Sequence, residues 1–212
     1  MSTIGNESVF IHDTAIVEDG VRLGEGTRVF DNVHIRHDAV LGESCIVGGK
    51  SLIAYEVNIG NRVKINSNVY ICYGVNIEDG VMVSAGTIFT NDHFPRATTP
   101  DLKQLRSSDP DEETRFTNVR CGATIGAGCL VGSNLEIGRF AMVGMGSIVT
   151  RSVPDFHLAL GSPAKSVGVV CRCGPLLSRF SDIKDYPAEF SCDGCEKAYH
   201  VDEKWNVTET EI

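Results

Sequence analysis

Two groups of residues in this chain have types and spacings suited to chemistry. The first is made of cysteines: Cys171-Arg-Cys173-Gly and Cys192-Asp-Gly-Cys195 form two close pairs separated by eighteen residues. Two short knuckles at that distance suit a tetrahedral four-thiolate site for structural zinc. Such an ion supplies the stability that a stretch of about 45 residues hardly obtains from apolar burial. The first pair is a CxC rather than a CxxC, and four free thiols or a redox pair are the competing readings. The second group is the run Asn91-Asp92-His93-Phe94-Pro95-Arg96, which places an amide, a carboxylate, an imidazole and a guanidinium within six residues. An imidazole has a pKa suited to taking a proton from an attacking nucleophile, and a general base contributes about 10²–10⁴ in rate. Asp92 is an alternative base, and a mechanism in which the leaving group takes the proton is open as well.

The elements that must position these groups are read from a period of six. Starting at Ile11, an apolar residue recurs at Val17, Leu23, Val29, Ile35 and onward to Phe89, and the series resumes from Val119 to Val149. Neither a helix nor an ordinary strand has this period. It suits a parallel β-helix, in which each short strand forms one wall of a coil and the next coil stacks above it. Two places before each anchor stands a small or β-branched residue, such as Ala39, Cys45, Ser51 and Val57, as a narrow interior requires. Glycine follows the anchor at Gly24, Gly42, Gly48, Gly60, Gly126 and Gly144, where a sharp corner is expected to need a residue without a Cβ. The break at residues 90–118 is expected to be a loop leaving one corner and returning to the same stack, because a long structureless insertion in a regular solenoid is usually functional.

At 212 residues the chain has room for one sizeable core and a small appendage. The expected division is a β-helix over residues 1–165 with the loop at 90–118, followed by a Cys-rich, zinc-ribbon-like region over 166–212. A formal net charge of −9 argues against nucleic acid as a partner. Apolar runs are too short for a membrane span and Met1-Ser-Thr-Ile-Gly-Asn-Glu is no signal peptide, so a cytoplasmic protein is expected. Cys45, Cys72, Cys121 and Cys129 fall within the repeats and read as packed, reduced thiols.

The hexad pattern resembles the hexapeptide-repeat acyltransferases. That resemblance implies an all-β, left-handed parallel β-helix with triangular coils of three hexads, assembled as a homotrimer. Phe89-Thr90-Asn91-Asp92-His93-Phe94-Pro95-Arg96 looks like the FTNDxxPR segment of the nucleotide-linked 3-amino-sugar N-acetyltransferases, and the cysteine knuckles resemble those of some members. By that resemblance Asn91 and Asp92 would hold the acceptor amine and its neighbouring hydroxyl, His93 is a candidate base, and Arg96 would meet an anionic group or brace the loop. His34 and Arg36 would face the nucleotide-sugar. Gly161-Ser-Pro-Ala164-Lys165 is similar to the family's GxPAK ending, which implies that Gly144, Gly161, Ala164 and Lys165 bind acetyl-CoA. An ammonium needs only proximity to a phosphate, which suits Lys165 to that part.

The implied reaction is acetyl transfer from acetyl-CoA to the amine of a UDP- or dTDP-linked 3-amino sugar for surface-polysaccharide precursors. The pattern points to UDP-2-acetamido-3-amino-2,3-dideoxyglucuronate, on whose carboxylate some of Lys50, Lys64, Arg36 and Arg96 would converge. O-acetylation of a sugar or small alcohol and a non-catalytic scaffold are the rival readings. The metal-binding HxxxxH pair of γ-type carbonic anhydrases does not occur.

Overall fold

Strands of two or three residues recur from Phe10–Ile11 to Ile148–Val149, each ending on one of the periodic apolar residues. In the computed structural model, which describes residues 8–112 and 114–210, these strands form three parallel sheets that wind into a three-sided solenoid. The N-terminal segment read above as no signal peptide lies outside the described residues. Partners lie 18 residues apart, as in Phe10 with Arg28 and Lys64 with Met82, so three hexads complete one coil. Among the described residues no helix is long and apolar enough to cross a membrane.

The alternation of inward and outward side chains follows from the strand geometry. Anchors such as Val29, Ile35, Ile65, Phe89 and Val131 are fully buried, and so are Val33, Ala39 and Ala123 two places ahead of their anchors. Where that preceding residue is polar, the corner backbone satisfies it: the Thr27 hydroxyl donates to Gly42 O at 2.7 Å and the Ser51 hydroxyl to Asn66 O at 3.0 Å. Cys45 and Cys129 take the same part with their thiols on Gly60 O and Gly144 O. Burial pushes both thiols above their ordinary pKa, in keeping with packed, reduced cysteines.

The glycines that follow the anchors have a different cause from the one expected. The left-handed corner lies two residues later, at positions such as Asn32, Asn68 and Gly128. Gly48 and Gly126 are small because the next coil passes over them. A Cβ at Gly126 would stand 2.5 Å from the backbone nitrogen of Met145, and one at Gly48 would stand 2.6 Å from that of Ser67. Coil stacking, not backbone conformation, selects glycine there. Gly126→Ala is therefore expected to cost about 1–3 kcal/mol in chemical denaturation, as overpacking does in well-filled interiors. A loss below about 0.5 kcal/mol would show that the coils part easily.

The three outer faces differ. Outward side chains on the second face include Ile16, Leu52, Tyr70, Ile88, Leu130 and Ile148, whereas the third face presents Asn58, Asn76, Asn118 and Glu136. The excursion leaves between these two faces. Ile77 pairs with Val119, and the side-chain bond between Asn76 and Asn118 spans 42 residues instead of 18, so 24 residues are inserted into one coil.

Past Val149 the chain turns into two antiparallel strands, His157–Gly161 and Ala164–Val170, which extend the first sheet and are followed by Leu176–Arg179. A separate three-stranded antiparallel sheet is built from Ala188–Ser191, Ala198–Val201 and Val207–Thr210.

Candidate active site

Phe89 is fully buried at the end of its strand, and the chain leaves the solenoid immediately after it. The neck of the excursion is tied to the previous coil. The Asn91 side-chain amide donates to Tyr73 O at 3.1 Å, the Arg115 backbone N–H donates to Asn91 O at 3.1 Å, and that of Thr117 to Gly74 O at 2.9 Å. Gly74 has φ +83°, and a Cβ on it would come within 3.0 Å of Arg115 O, so the corner accepts only glycine without strain. Asp92 pairs with Thr114 in an antiparallel bridge, and its carbonyl oxygen accepts from the Ser133 hydroxyl at 3.3 Å. Farther out, Thr98 pairs with Leu105 and the excursion closes on itself.

Between this excursion and the solenoid lies a cavity of about 740 Å³. Asn91, Asp92, His93 and Arg96 line it from the loop side, and Arg36, Tyr55, Tyr70 and Tyr73 from the solenoid side. Four of the residues singled out in the loop are thus brought together with Arg36. His34 is not among the lining residues; it lies on the second face with Nε2 2.6 Å from Glu18 Oε1. Glu18 also lies 3.5 Å from Arg36 Nε. The His37 backbone N–H, followed by His34, holds the Glu18 carboxyl below its ordinary pKa. That carboxylate braces the Arg36 side of the cavity.

His93 is exposed, and its ring packs edge-on against Phe94 with centroids 4.1 Å apart. Among the described residues no side chain hydrogen-bonds its ring, so nothing fixes its tautomer in the way a general base is usually oriented. Arg96 donates to the adjacent Pro95 carbonyl at 2.9 Å. Cys72, on the cavity wall, has its thiol pushed by burial up to about 12, which removes it as a nucleophile.

Sequence reasoning missed the tyrosines of the aromatic wall. His37, Tyr55 and Tyr73 stand one coil apart, with ring centroids 5.2 Å and 5.0 Å from each other, and Arg36 Cζ lies 5.3 Å from the Tyr55 centroid. The signal was available as three rings at a spacing of eighteen, which is three hexads.

The residues implied for acetyl-CoA form a second group. Gly144 donates from its N–H to Ala159 O at 2.9 Å, and Gly161 N–H donates to the Ser147 hydroxyl at 3.1 Å, which ties the hairpin to the last full coil. Leu160 pairs with Lys165 and Gly161 with Ala164 across the hairpin, and Lys165 is exposed. None of these residues lines the cavity. The two candidate sites therefore lie on separate parts of one chain.

Cys171, Cys173, Cys192 and Cys195 converge, with all four sulfurs within 4.8 Å of one another. Tetrahedral zinc–thiolate bonds of about 2.3 Å place sulfurs about 3.8 Å apart. The observed Sγ separations include 3.2 Å from Cys171 to Cys195 and 3.5 Å from Cys173 to Cys192. Burial opposes ionisation of Cys171. Hydrogen bonds from the Cys173 backbone, Tyr199, Cys195 and Cys173 outweigh it and bring the thiol to about 7, while the bonds to Cys171, Cys195 and Cys192 push Cys173 up to about 12. The Cys171 thiolate forms readily while Cys173 resists ionisation, which is the electrostatic situation a bound cation relieves. The donor set fits a soft divalent ion.

No protein-family model matches the chain. Over 57 residues it is 51% identical to the dTDP-3-amino-3,6-dideoxy-alpha-D-galactopyranose 3-N-acetyltransferase of Aneurinibacillus thermoaerophilus, covering 27% of this chain and 30% of the relative. Over 54 residues it is 44% identical to the serine acetyltransferase of Escherichia coli, covering 26% and 20% respectively. The chain resembles hexapeptide-repeat acetyltransferases. It spans less than a third of the length of these two curated relatives. Among solved structures it is similar to AntD, an N-acyltransferase from Bacillus cereus, in complex with dTDP and coenzyme A. That match has 20% identity and a TM-score of 0.48 over 80% of this chain and 87% of the other. It is also similar to perosamine N-acetyltransferase from Caulobacter crescentus, with 23% identity and a TM-score of 0.46 over 77% and 58%.

Proposed function

We propose that this protein transfers an acetyl group from acetyl-CoA to the amine of a nucleotide-linked 3-amino sugar, of the UDP or dTDP type, for surface-polysaccharide synthesis. The observation that carries the reading is the cavity in which Asn91, Asp92, His93 and Arg96 face Arg36 and the stacked tyrosines. The 51% match to an N-acetyltransferase with that class of acceptor supports it. In this reading residues 1–165 form the acyltransferase part and 166–212 the Cys-rich part, with zinc held by Cys171, Cys173, Cys192 and Cys195.

The proposed chemistry is direct. The neutral amine attacks the thioester carbonyl, the C–S bond breaks from the tetrahedral intermediate, and the departing coenzyme A thiolate receives the proton that the new ammonium releases. Asp92 and the Asn91 carbonyl oxygen of the side chain orient the amine, and alignment of this kind is worth several kcal/mol of the barrier. A backbone N–H at a corner of the solenoid stabilises the oxyanion. Gly144, Gly161, Ala164 and Lys165 receive the pantetheine arm and phosphates of acetyl-CoA.

Because the two groups of residues lie apart on one chain, the proposed catalyst is a homotrimer in which one copy's hairpin approaches a neighbour's cavity. The apolar second face, which shares Leu52 and Tyr70 with the cavity, is the surface proposed to meet the neighbour. A cytoplasmic location follows from the soluble substrates.

Release of free coenzyme A thiol from acetyl-CoA, followed with a panel of UDP- and dTDP-3-amino sugars, tests the reading. Turnover with at least one 3-amino sugar is expected, and silence across the panel would overturn it. Since His93 is exposed and unoriented, His93→Ala is expected to lower kcat less than tenfold. A loss of about 10²–10⁴ would assign it the role of general base.

A further inference from the structure

The Cys-rich region is not an independent appendage. One buried cluster joins Phe156 and Val169 at the end of the solenoid to Tyr199, Val201 and Val207 of the three-stranded sheet. Phe140 stacks on Phe156 with centroids 5.5 Å apart, and Phe156 meets the Tyr199 ring edge-on at 5.3 Å. Tyr199 is fully buried, and its ring packs on the Phe140–Phe156 pair at a corner of the last coil. Through that contact the Cys-rich region caps the C-terminal end of the solenoid.

The same tyrosine reaches the cysteines. Its hydroxyl lies 3.1 Å from Cys171 Sγ and accepts the Arg172 backbone N–H at 3.0 Å. Strand Ala164–Val170 runs from the coenzyme hairpin directly into Cys171, and Val170 N–H donates to Phe156 O at 2.8 Å. The other hairpin strand is pinned from the same side: buried His157 donates from Nε2 to Trp205 O at 2.8 Å, and its Nδ1 accepts from the Ser166 hydroxyl at 2.9 Å. Trp205 stacks on Phe180 at 4.8 Å. Both strands of the hairpin that carries Gly161, Ala164 and Lys165 therefore meet the Cys-rich region at their far ends, one by running into Cys171 and the other through His157 and Trp205. That region is only about 45 residues long, and a domain so small does not stay closed on burial alone.

We propose that a soft divalent metal ion bound by Cys171, Cys173, Cys192 and Cys195 locks this cap onto the solenoid and thereby holds the Gly161–Ala164 hairpin in its coenzyme-binding form. The part that concerns coenzyme rests on the function proposed above; the cap does not.

The test uses the full chain with zinc as the probe metal. Elemental analysis is expected to find one zinc per chain. Chelation is expected to speed amide hydrogen exchange across residues 157–170 by about tenfold or more while residues 28–89 keep their protection, since a local opening leaves the rest of the fold intact. The dissociation constant for coenzyme A should rise by about tenfold in parallel and recover on adding Zn²⁺. Unchanged exchange at 157–170 after metal removal, or four freely reactive thiols in the native protein as purified, would overturn the proposal. If chelation unfolds the whole chain, Tyr199→Ala decides, because it keeps all four ligands and removes the ring that joins the cap to the last coil. Loosened exchange at 157–170 with zinc retained supports the cap, and wild-type protection refutes it. A loaded, protected protein that never binds coenzyme A would instead refute the acetyl-CoA reading and leave the cap standing.

Discussion

Asn91→Ala is expected to lower kcat/KM for the acceptor sugar by about 10²-fold, the cost that a misplacement of about 1 Å carries in an oriented reaction. The Asn91 amide is the side-chain tie between the excursion and the Tyr73 carbonyl of the previous coil, and the Asn91 carbonyl receives the Arg115 N–H at the returning end. Removing the amide releases one side of the neck, and Asp92, His93 and Arg96 shift together against Arg36. Coenzyme affinity should stay within about twofold, since the hairpin with Lys165 is held through His157 and Val170 and not by the neck. Steady-state kinetics in acceptor, with coenzyme A binding measured separately, checks both halves. Turnover equal to wild type would remove the neck from any part in catalysis.

Phe89→Ala is expected to lower stability by about 3–5 kcal/mol, in the range found for deleting a buried aromatic side chain. Phe89 has no exposed surface and pairs with Val131 across the coil that carries the excursion. An interior this narrow has no second layer of side chains to collapse into the space, so the void persists. The adjacent Ile88 is 41% exposed, and Ile88→Ala should change monomer stability by less than about 1 kcal/mol. Urea unfolding of the two variants side by side measures the contrast. Equal losses would mean that the coil interior relaxes around the deletion.

Much of the solenoid was legible in the residues because each coil repeats one local rule: an apolar anchor inside, a small residue two places ahead, and a turn between. Val33, Ala39 and Val131 are buried as that rule requires. The place of the excursion was legible for the same reason, since a strict period makes its own interruption visible. The cause of the glycines was not. Gly126 has an ordinary backbone conformation, and its size is dictated by Met145 in the coil above, a contact that no local pattern records.

By itself the sequence determined the hexad architecture and located the segment 91–96 and the two cysteine pairs. These are properties of residue types at short or regular spacing, and strand alternation converts such spacing directly into position. Only the tertiary structure decided what each group faces. Asn91 is held by a main-chain carbonyl of Tyr73, and His157 by one of Trp205; a carbonyl is present at every residue, so it leaves no signature in the sequence. The outward rings of Tyr55 and Tyr73 become a cavity wall because the excursion folds over their part of the solenoid. The inward periodicity that builds the coils places no constraint on outward side chains, so the chemistry assembled there depends on which surfaces the chain brings together.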